Sequence, residues 1–242
     1  MSNSKFISSD SVKRLIKDIK EIKYKPLTEH GIYYSHSEED MLEASALIIG
    51  PQDTPYENGM YFFKIKYPAN YPHSPPIFKY CTNDGKTRFN PNLYSNGKVC
   101  LSILNTWSGE QWSACQSIST VLLVLCTILH NKPLINEPGI TESHHDFKKY
   151  NDILTFKNID IAICNYFEDK IFQNTFPEFY EIAKQHFIDK HESILSFVND
   201  YIHKNNITIS YFVTTSIYNM NILIDYKSLV KRLNVIYHSL KN

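Results

Sequence analysis

A cysteine does acyl chemistry where its thiol reaches a carbonyl carbon and a donor meets the oxygen on which negative charge develops. The run Phe89-Asn90-Pro91-Asn92-Leu93-Tyr94-Ser95-Asn96-Gly97-Lys98-Val99-Cys100-Leu101-Ser102-Ile103-Leu104, followed by Trp112-Ser113, offers candidates for both. Cys100 stands in a loop, is expected to be at least partly accessible, and is the candidate nucleophile. Asn92, eight residues upstream and stiffened by Pro91, supplies an amide that could face an oxyanion. Losing one donor of that kind typically costs about 2.7–4 kcal/mol of barrier. No general base adjoins the thiol. A hydrolytic cysteine enzyme would need His130, His144 or His145, which lie in other elements and could reach Cys100 only by folding. Cys126 sits inside an apolar run and reads as a small buried hydrophobe.

The five cysteines are separated by 19, 15, 11 and 38 positions with no CxxC pair, so no zinc site and no disulfide framework is expected. With 43% hydrophobic and 21% charged residues, the 242-residue chain is excluded from the disordered, collagen-like and disulfide-miniprotein classes. The 25 basic and 25 acidic side chains cancel, leaving no global field toward nucleic acid or anionic membrane. MSNSKFISSDS lacks the pattern of a secretory signal, and no apolar run is long enough to span a bilayer. A cytosolic or nuclear protein in a reducing compartment is expected.

The elements that must position the thiol can be read from periodicity. Val12, Leu15, Ile16, Ile19 and Ile22 form the stripe of an amphipathic helix capped at Ser9-Asp10 and ending before Pro26. Lys13, Arg14, Lys17, Lys20 and Lys23 make its other face basic, either a solvated face or a dock for an acidic partner. Leu42, Ala44, Ala46 and Ile48 alternate, as do Tyr61, Phe63, Ile65 and Tyr67 beyond the turn signal Asn58-Gly59, predicting antiparallel strands with a third at 77–80. The prolines of 67–76 impose a stiff extended crossing. Residues 81–114 have no sustained period, yet Val99, Leu101, Ile103, Leu104, Trp107 and Trp112 argue for order. Apolar 117–129 predicts a buried helix ended by Asn131 and Pro133. Helices are expected at 142–150, 159–167 and from Pro177 toward Tyr201, then a short strand or hairpin in 206–218 and a last helix capped by Asp225.

In this order, the pieces resemble the ubiquitin-conjugating enzyme family. The resemblance is carried by the basic helix 10–24, Ile49-Gly50-Pro51 with Thr54-Pro55-Tyr56 and Gly59, and the Tyr-Pro repeats of 67–76. Pro91-Asn92, Cys100-Leu101-Ser102-Ile103-Leu104, Trp112-Ser113 and Ile118-Ser119 continue it. Asn136-Glu137-Pro138-Gly139, the Phe-Asn-Pro-Asn reading of the usual His-Pro-Asn motif, and the late segment 225–233 are similar to its Z-type branch. The fold implied is α+β: a conjugating core at 8–165 with an N-terminal helix, a four-stranded antiparallel meander and a crossing helix, then a mostly helical extension at 166–242.

The resemblance implies that Cys100 accepts the C-terminal carboxyl of ubiquitin, or of a related modifier, as a thioester from an activating enzyme. A substrate lysine or a ligase would then receive it. The Z-type likeness points to the less common kind of activating enzyme. Asn92 would steady the loop and the oxyanion, and Glu137 would orient the acceptor ammonium and take up a proton. No cofactor, metal, nucleic acid or membrane is implied. Asn90 stands where most members have a loop-organising histidine. His73 and Ala114-Cys115 depart from the family's ligase-gripping surface and leave the ligase partner open. Two other readings stand beside this one: a scaffold of the same fold that binds ubiquitin without chemistry, and an unrelated cysteine hydrolase.

Overall fold

The computed structural model describes residues 7–241; the opening residues read for a secretory signal lie mostly outside that range. Helix α1 (Ser9–Tyr24) begins where Ser8 accepts a hydrogen bond from the Ser11 amide, one residue before the expected cap. Its apolar stripe turns inward through Leu15 and Ile22, with Asp18 buried between them. Four strands follow as an antiparallel meander: β1 (Ile32–His36), β2 (Glu43–Ile49), β3 (Met60–Lys66) and β4 (Ile77–Tyr80). Registers such as Leu47 opposite Phe62 and Ile65 opposite Phe78 set the alternation. Helix α2 (Ile118–Thr127) sends Val121, Leu122 and Leu125 into the same core as the sheet. The architecture is the expected α+β one; strand β1 is the member that pattern reading had not placed.

The chain then becomes mostly helical. Helix α3 (Phe147–Lys157) runs into a π-helical stretch (Asn158–Asn165) and on through α4 (Tyr166–Glu168), α5 (Lys170–Thr175) and α6 (Tyr180–Lys204). A hairpin, β5 (Tyr211–Thr214) with β6 (Asn221–Ile224), and helix α7 (Tyr226–Lys241) complete it. Asp225 accepts from the Ser228 amide, the expected cap. Helix α3 starts later than 142 because 137–146 is a series of turns.

This extension covers the outer face of the sheet. Phe62 points away from Tyr61 and Phe63, and its ring meets Tyr166 at 4.6 Å, Phe176 at 4.9 Å and Phe172 at 5.4 Å. Both faces of β3 are therefore buried at 60–63, where alternation alone predicted one. The junction is close at Gly59: a Cβ there would stand 1.9 Å from Asn158 Oδ1, which itself accepts from the Tyr61 hydroxyl. Asn158 also donates to the Glu57 carbonyl at 2.8 Å, tying the π-helical stretch to the β2–β3 turn. Farther along, Lys157 pairs with Asp84 and Asp160, and Arg232 of α7 with Asp160 and Glu168.

The long irregular stretch is ordered by hydrogen bonds rather than periodicity. Arg14 donates to buried Asp18 at 2.9 Å and to the carbonyls of Ala114 and Gln116, so one member of the basic face is spent inside the molecule. Tyr71 of the proline-rich crossing donates to the same Asp18, and Trp112 Nε1 donates to the Pro72 carbonyl. Thus α1 clamps both the crossing and the segment leading into α2. No helix among the described residues is long and apolar enough to cross a membrane.

Candidate active site

The loop around Cys100 is closed by its own backbone. Leu93 N–H donates to the Asn90 carbonyl, Gly97 N–H to Tyr94, and Tyr94 N–H to Lys98, which folds residue 92 back alongside residue 100. Gly97 turns this loop at φ 89°, a left-handed conformation, and a Cβ there would stand 2.8 Å from the Tyr80 carbonyl. The eight-residue spacing then has a geometric meaning. The Cys100 amide donates to the Asn92 carbonyl at 2.9 Å, and the Asn92 side-chain amide donates to the Cys100 carbonyl at 2.7 Å.

Asn90, wholly buried, organises the loop. Its amide nitrogen donates to the Tyr56 hydroxyl at 2.9 Å and to the Ile128 carbonyl at 2.8 Å, at the end of α2. Its oxygen accepts from the Asn92 backbone at 3.0 Å and from Asn136 Nδ2 at 3.3 Å. A planar amide with two donors and two acceptor sites suits these four partners, which a neutral imidazole, with one donor and one acceptor, could satisfy only in part.

The Asn92 side-chain amide is engaged by the Cys100 carbonyl. The structure corrects two expectations. Cys100 is buried, with 1% of its surface exposed, where partial access was expected. Cys126 is half-exposed near the His30 carbonyl, because α2 buries only its Ile118–Val121–Leu122–Leu125 side. The fully buried inert thiol is Cys164, pushed up to about 12 by burial. Cys115 is exposed.

Beside the loop stands a column that sequence reading missed. Arg88 donates from its guanidinium to the carbonyls of Asn90 and Pro91, at 3.1 and 2.7 Å. The same cation lies 3.2 Å from the Tyr94 ring centroid and 4.7 Å from that of Tyr218. Its own carbonyl accepts from the Tyr150 hydroxyl at 2.7 Å. Glu137, expected beside an incoming lysine, follows Asn136 in a turn, and its carboxylate accepts from the Tyr218 hydroxyl of the β5–β6 connection. Arg88 directly precedes the motif and Asn136 precedes Glu137, so adjacency could have found both. Nothing in the sequence marks Tyr218.

Among the described residues, no histidine hydrogen-bonds the Cys100 thiol. His130 bonds Asn136 and accepts from the Lys132 amide, while His145 bonds Ser216. His144, His145 and Asp146 bring ligand atoms within 4.8 Å of one another. Asp146 accepts through Oδ2 from the Ser216 amide, the Ser216 hydroxyl and the Ile217 amide, while its Oδ1 has no hydrogen-bond partner among the described residues. Burial alone would raise this carboxyl, but those hydrogen bonds outweigh it and hold it below the usual carboxylate range. A cavity of about 490 Å³ lies elsewhere, lined by Asp53, Thr54, Asn158, Ile163, Phe197 and Tyr201, away from the cysteine loop.

The fold is an α+β meander with a crossing helix, its cysteine loop braced by the second asparagine of an Asn-Pro-Asn turn. The profile described as ubiquitin-conjugating enzyme matches residues 14–158, and the chain belongs to that family. It is 39% identical to Ubiquitin-conjugating enzyme E2 Z of Xenopus tropicalis, over 72% of this chain and 59% of that one. The human E2 Z is 40% identical over 69% of this chain and 50% of its own length. The human dual E2 ubiquitin-conjugating enzyme/E3 ubiquitin-protein ligase BIRC6 is 35% identical over 73% of this chain and 4% of its own. The chain thus spans only half to three-fifths of these two E2 Z relatives.

Proposed function

We propose that the protein is a ubiquitin-conjugating enzyme working through a thioester on Cys100. The thiolate attacks the carbonyl carbon of ubiquitin held as a thioester on an activating enzyme; the new C–S bond forms, the old one breaks, and the activating enzyme's thiolate leaves. An amine or a ligase thiol then repeats the exchange on Cys100. The observation that carries this reading is the pair of hydrogen bonds by which Asn92 holds both peptide groups of Cys100. No strong base is required, because the incoming acyl group is already activated and thioester exchange needs only a moderate thiolate fraction.

Burial of Cys100 makes displacement of its neighbours part of charging. Asn92 steadies the segment at rest and serves the oxyanion once the segment opens, while Glu137 orients the ammonium of the acceptor. Likeness to the Z-type branch favours the less common activating enzyme, and exposed His73, Ala114 and Cys115 favour a ligase contact unlike the family's usual one. The test is charging with ubiquitin, ATP and each of the two kinds of activating enzyme, read on a non-reducing gel. The wild type gives a reductant-sensitive band with one activator, Cys100→Ser a reductant-resistant one, and Cys100→Ala none. Loading that persists in Cys100→Ala refutes the site; ubiquitin binding without loading by either activator favours the scaffold reading.

A further inference from the structure

We propose that Tyr218, carried by the C-terminal hairpin, is a positioning residue for transfer to amines. It holds Glu137, next to the Asn136 that bonds the cysteine loop, with one carboxylate oxygen free of side-chain hydrogen bonds among the described residues. The proposal rests on the thioester reading above and assigns part of the reaction to the extension.

Four observations support it. First, the Tyr218 hydroxyl donates to Glu137 Oε2, and among the described residues Oε1 accepts no side-chain hydrogen bond. Glu137 as a whole is half-exposed, and a carboxylate with one oxygen fixed and the other without a side-chain partner is suited to receive an ammonium in a single orientation. Second, the partner is fixed. Tyr218 has φ 60° and ψ 5° and Asn219 φ 50°, left-handed conformations that are unfavourable for side chains with a Cβ and persist where surroundings impose them. Asp146 imposes them by accepting from the backbone of Ser216 and Ile217, and Thr215 closes the turn through the Ile217 and Met220 carbonyls.

Third, the ring is linked to the cysteine loop. It faces the Arg88 guanidinium, which lies against Tyr94 and donates to the carbonyls of Asn90 and Pro91, while the Arg88 amide donates to Met220 Sδ at 3.4 Å. Glu137 is linked to the same loop through its neighbour Asn136, which donates to Asn90. Fourth, burial first, and then the hydrogen bond to Glu137 and its charge, push the Tyr218 hydroxyl well above its usual value, so it remains a donor.

In the step concerned, the lysine ammonium first gives one proton to solvent or to the Glu137 carboxylate. The free amine nitrogen then attacks the thioester carbonyl carbon, the C–N bond forms, the C–S bond breaks, Cys100 leaves as thiolate, and the second nitrogen proton passes to solvent. A thiol acceptor brings no ammonium and makes no demand on Glu137. The experiment therefore charges the protein with ubiquitin, removes the activating enzyme and follows discharge to free lysine and, separately, to 2-mercaptoethanesulfonate. Tyr218→Phe keeps the ring on Arg88 and removes only the hydroxyl.

The expected result is lysine discharge slowed about tenfold, as for loss of one hydrogen bond to a charged group, with thiol discharge unchanged. Glu137→Gln slows lysine discharge at least as much, and the double variant is no slower than Glu137→Gln alone. Equal slowing toward both acceptors, no slowing toward either, or additive effects in the double variant overturns the proposal and leaves the thioester reading intact. A wild-type protein that never charges overturns both, and that is known before any acceptor is added.

Discussion

Asn90 can be removed by a one-residue change whose cost follows from its four partners. In Asn90→Ala the Tyr56 hydroxyl still donates to the Phe89 carbonyl, and the Ile128 carbonyl still accepts from Asn136 at 3.2 Å. The Asn92 backbone N–H, buried within the cysteine loop, loses the only side-chain acceptor it has among the described residues. One orphaned buried N–H costs about 1–3 kcal/mol, and the space left by an amide adds to it, so a loss of about 3 kcal/mol is expected. Asn90→Asp keeps that acceptor but turns an oxygen toward the Ile128 carbonyl. Burial among acceptors raises the introduced carboxyl above the ~3.9 of an unfolded chain, so ionisation opposes folding. The destabilisation then grows above about pH 4 by up to about 1.4 kcal/mol per unit until the raised folded value is reached. Urea unfolding of both variants at pH 5 and pH 7 measures this. A loss under 1 kcal/mol in Asn90→Ala, or an aspartate variant no weaker at pH 7 than at pH 5 relative to wild type, refutes the account of Asn90 as the buried hub of the loop.

Three further outcomes are expected. In thiol titration of the native protein, exposed Cys115 reacts first and buried Cys100 and Cys164 last, so Cys115→Ser removes the fast phase and Cys100→Ser does not; a fast phase that depends on Cys100 contradicts its burial. Because the Asp146 carboxyl is held low in the folded state, its contribution is fully present above about pH 4 and disappears as pH falls through the folded value. The stability gap between wild type and Asp146→Asn should therefore narrow in acid, and a gap unchanged between pH 6 and pH 2.5 would count against that assignment. Gly59→Ala, whose Cβ meets Asn158 Oδ1, should cost about 2–3 kcal/mol in thermal unfolding. In an Asn158→Ala background it should cost less, the remainder coming from the Tyr61 ring 2.8 Å from the new Cβ, and equal costs in both backgrounds would show that the Asn158 contact is not the cause.

What could be read without the fold were features set by neighbours in the chain. The stripe of α1, the alternation in β2 and β3, the Asp225 cap and the Asn92–Cys100 spacing are matters of backbone period, capping and loop closure, each expressed within about ten residues. Motif order carried the rest of the core, because pieces that bind one another along a meander keep their order. Burial and partnership obey a different rule. Phe62 reads as the outward side of a strand until α4 and α5 cover it. Cys126 reads as core until the crossing of α2 leaves its side half-open, and Cys100 as accessible until its surroundings close over it.

The same distinction divides the site. Sequence alone named Cys100, Asn92 and Glu137 and marked Asn90 as a departure from the family pattern. Only the tertiary structure decided what those side chains touch. The Asn92 amide is spent on the Cys100 carbonyl, Asn90 joins the loop to the end of α2, and Glu137 is gripped by a tyrosine 81 residues away. A hydrogen bond across that separation leaves no period or spacing in the chain, since it depends on where a hairpin docks. That docking is set here by Asp146 and Arg88, whose roles appear once the C-terminal hairpin has folded against the cysteine loop and the turn before α3.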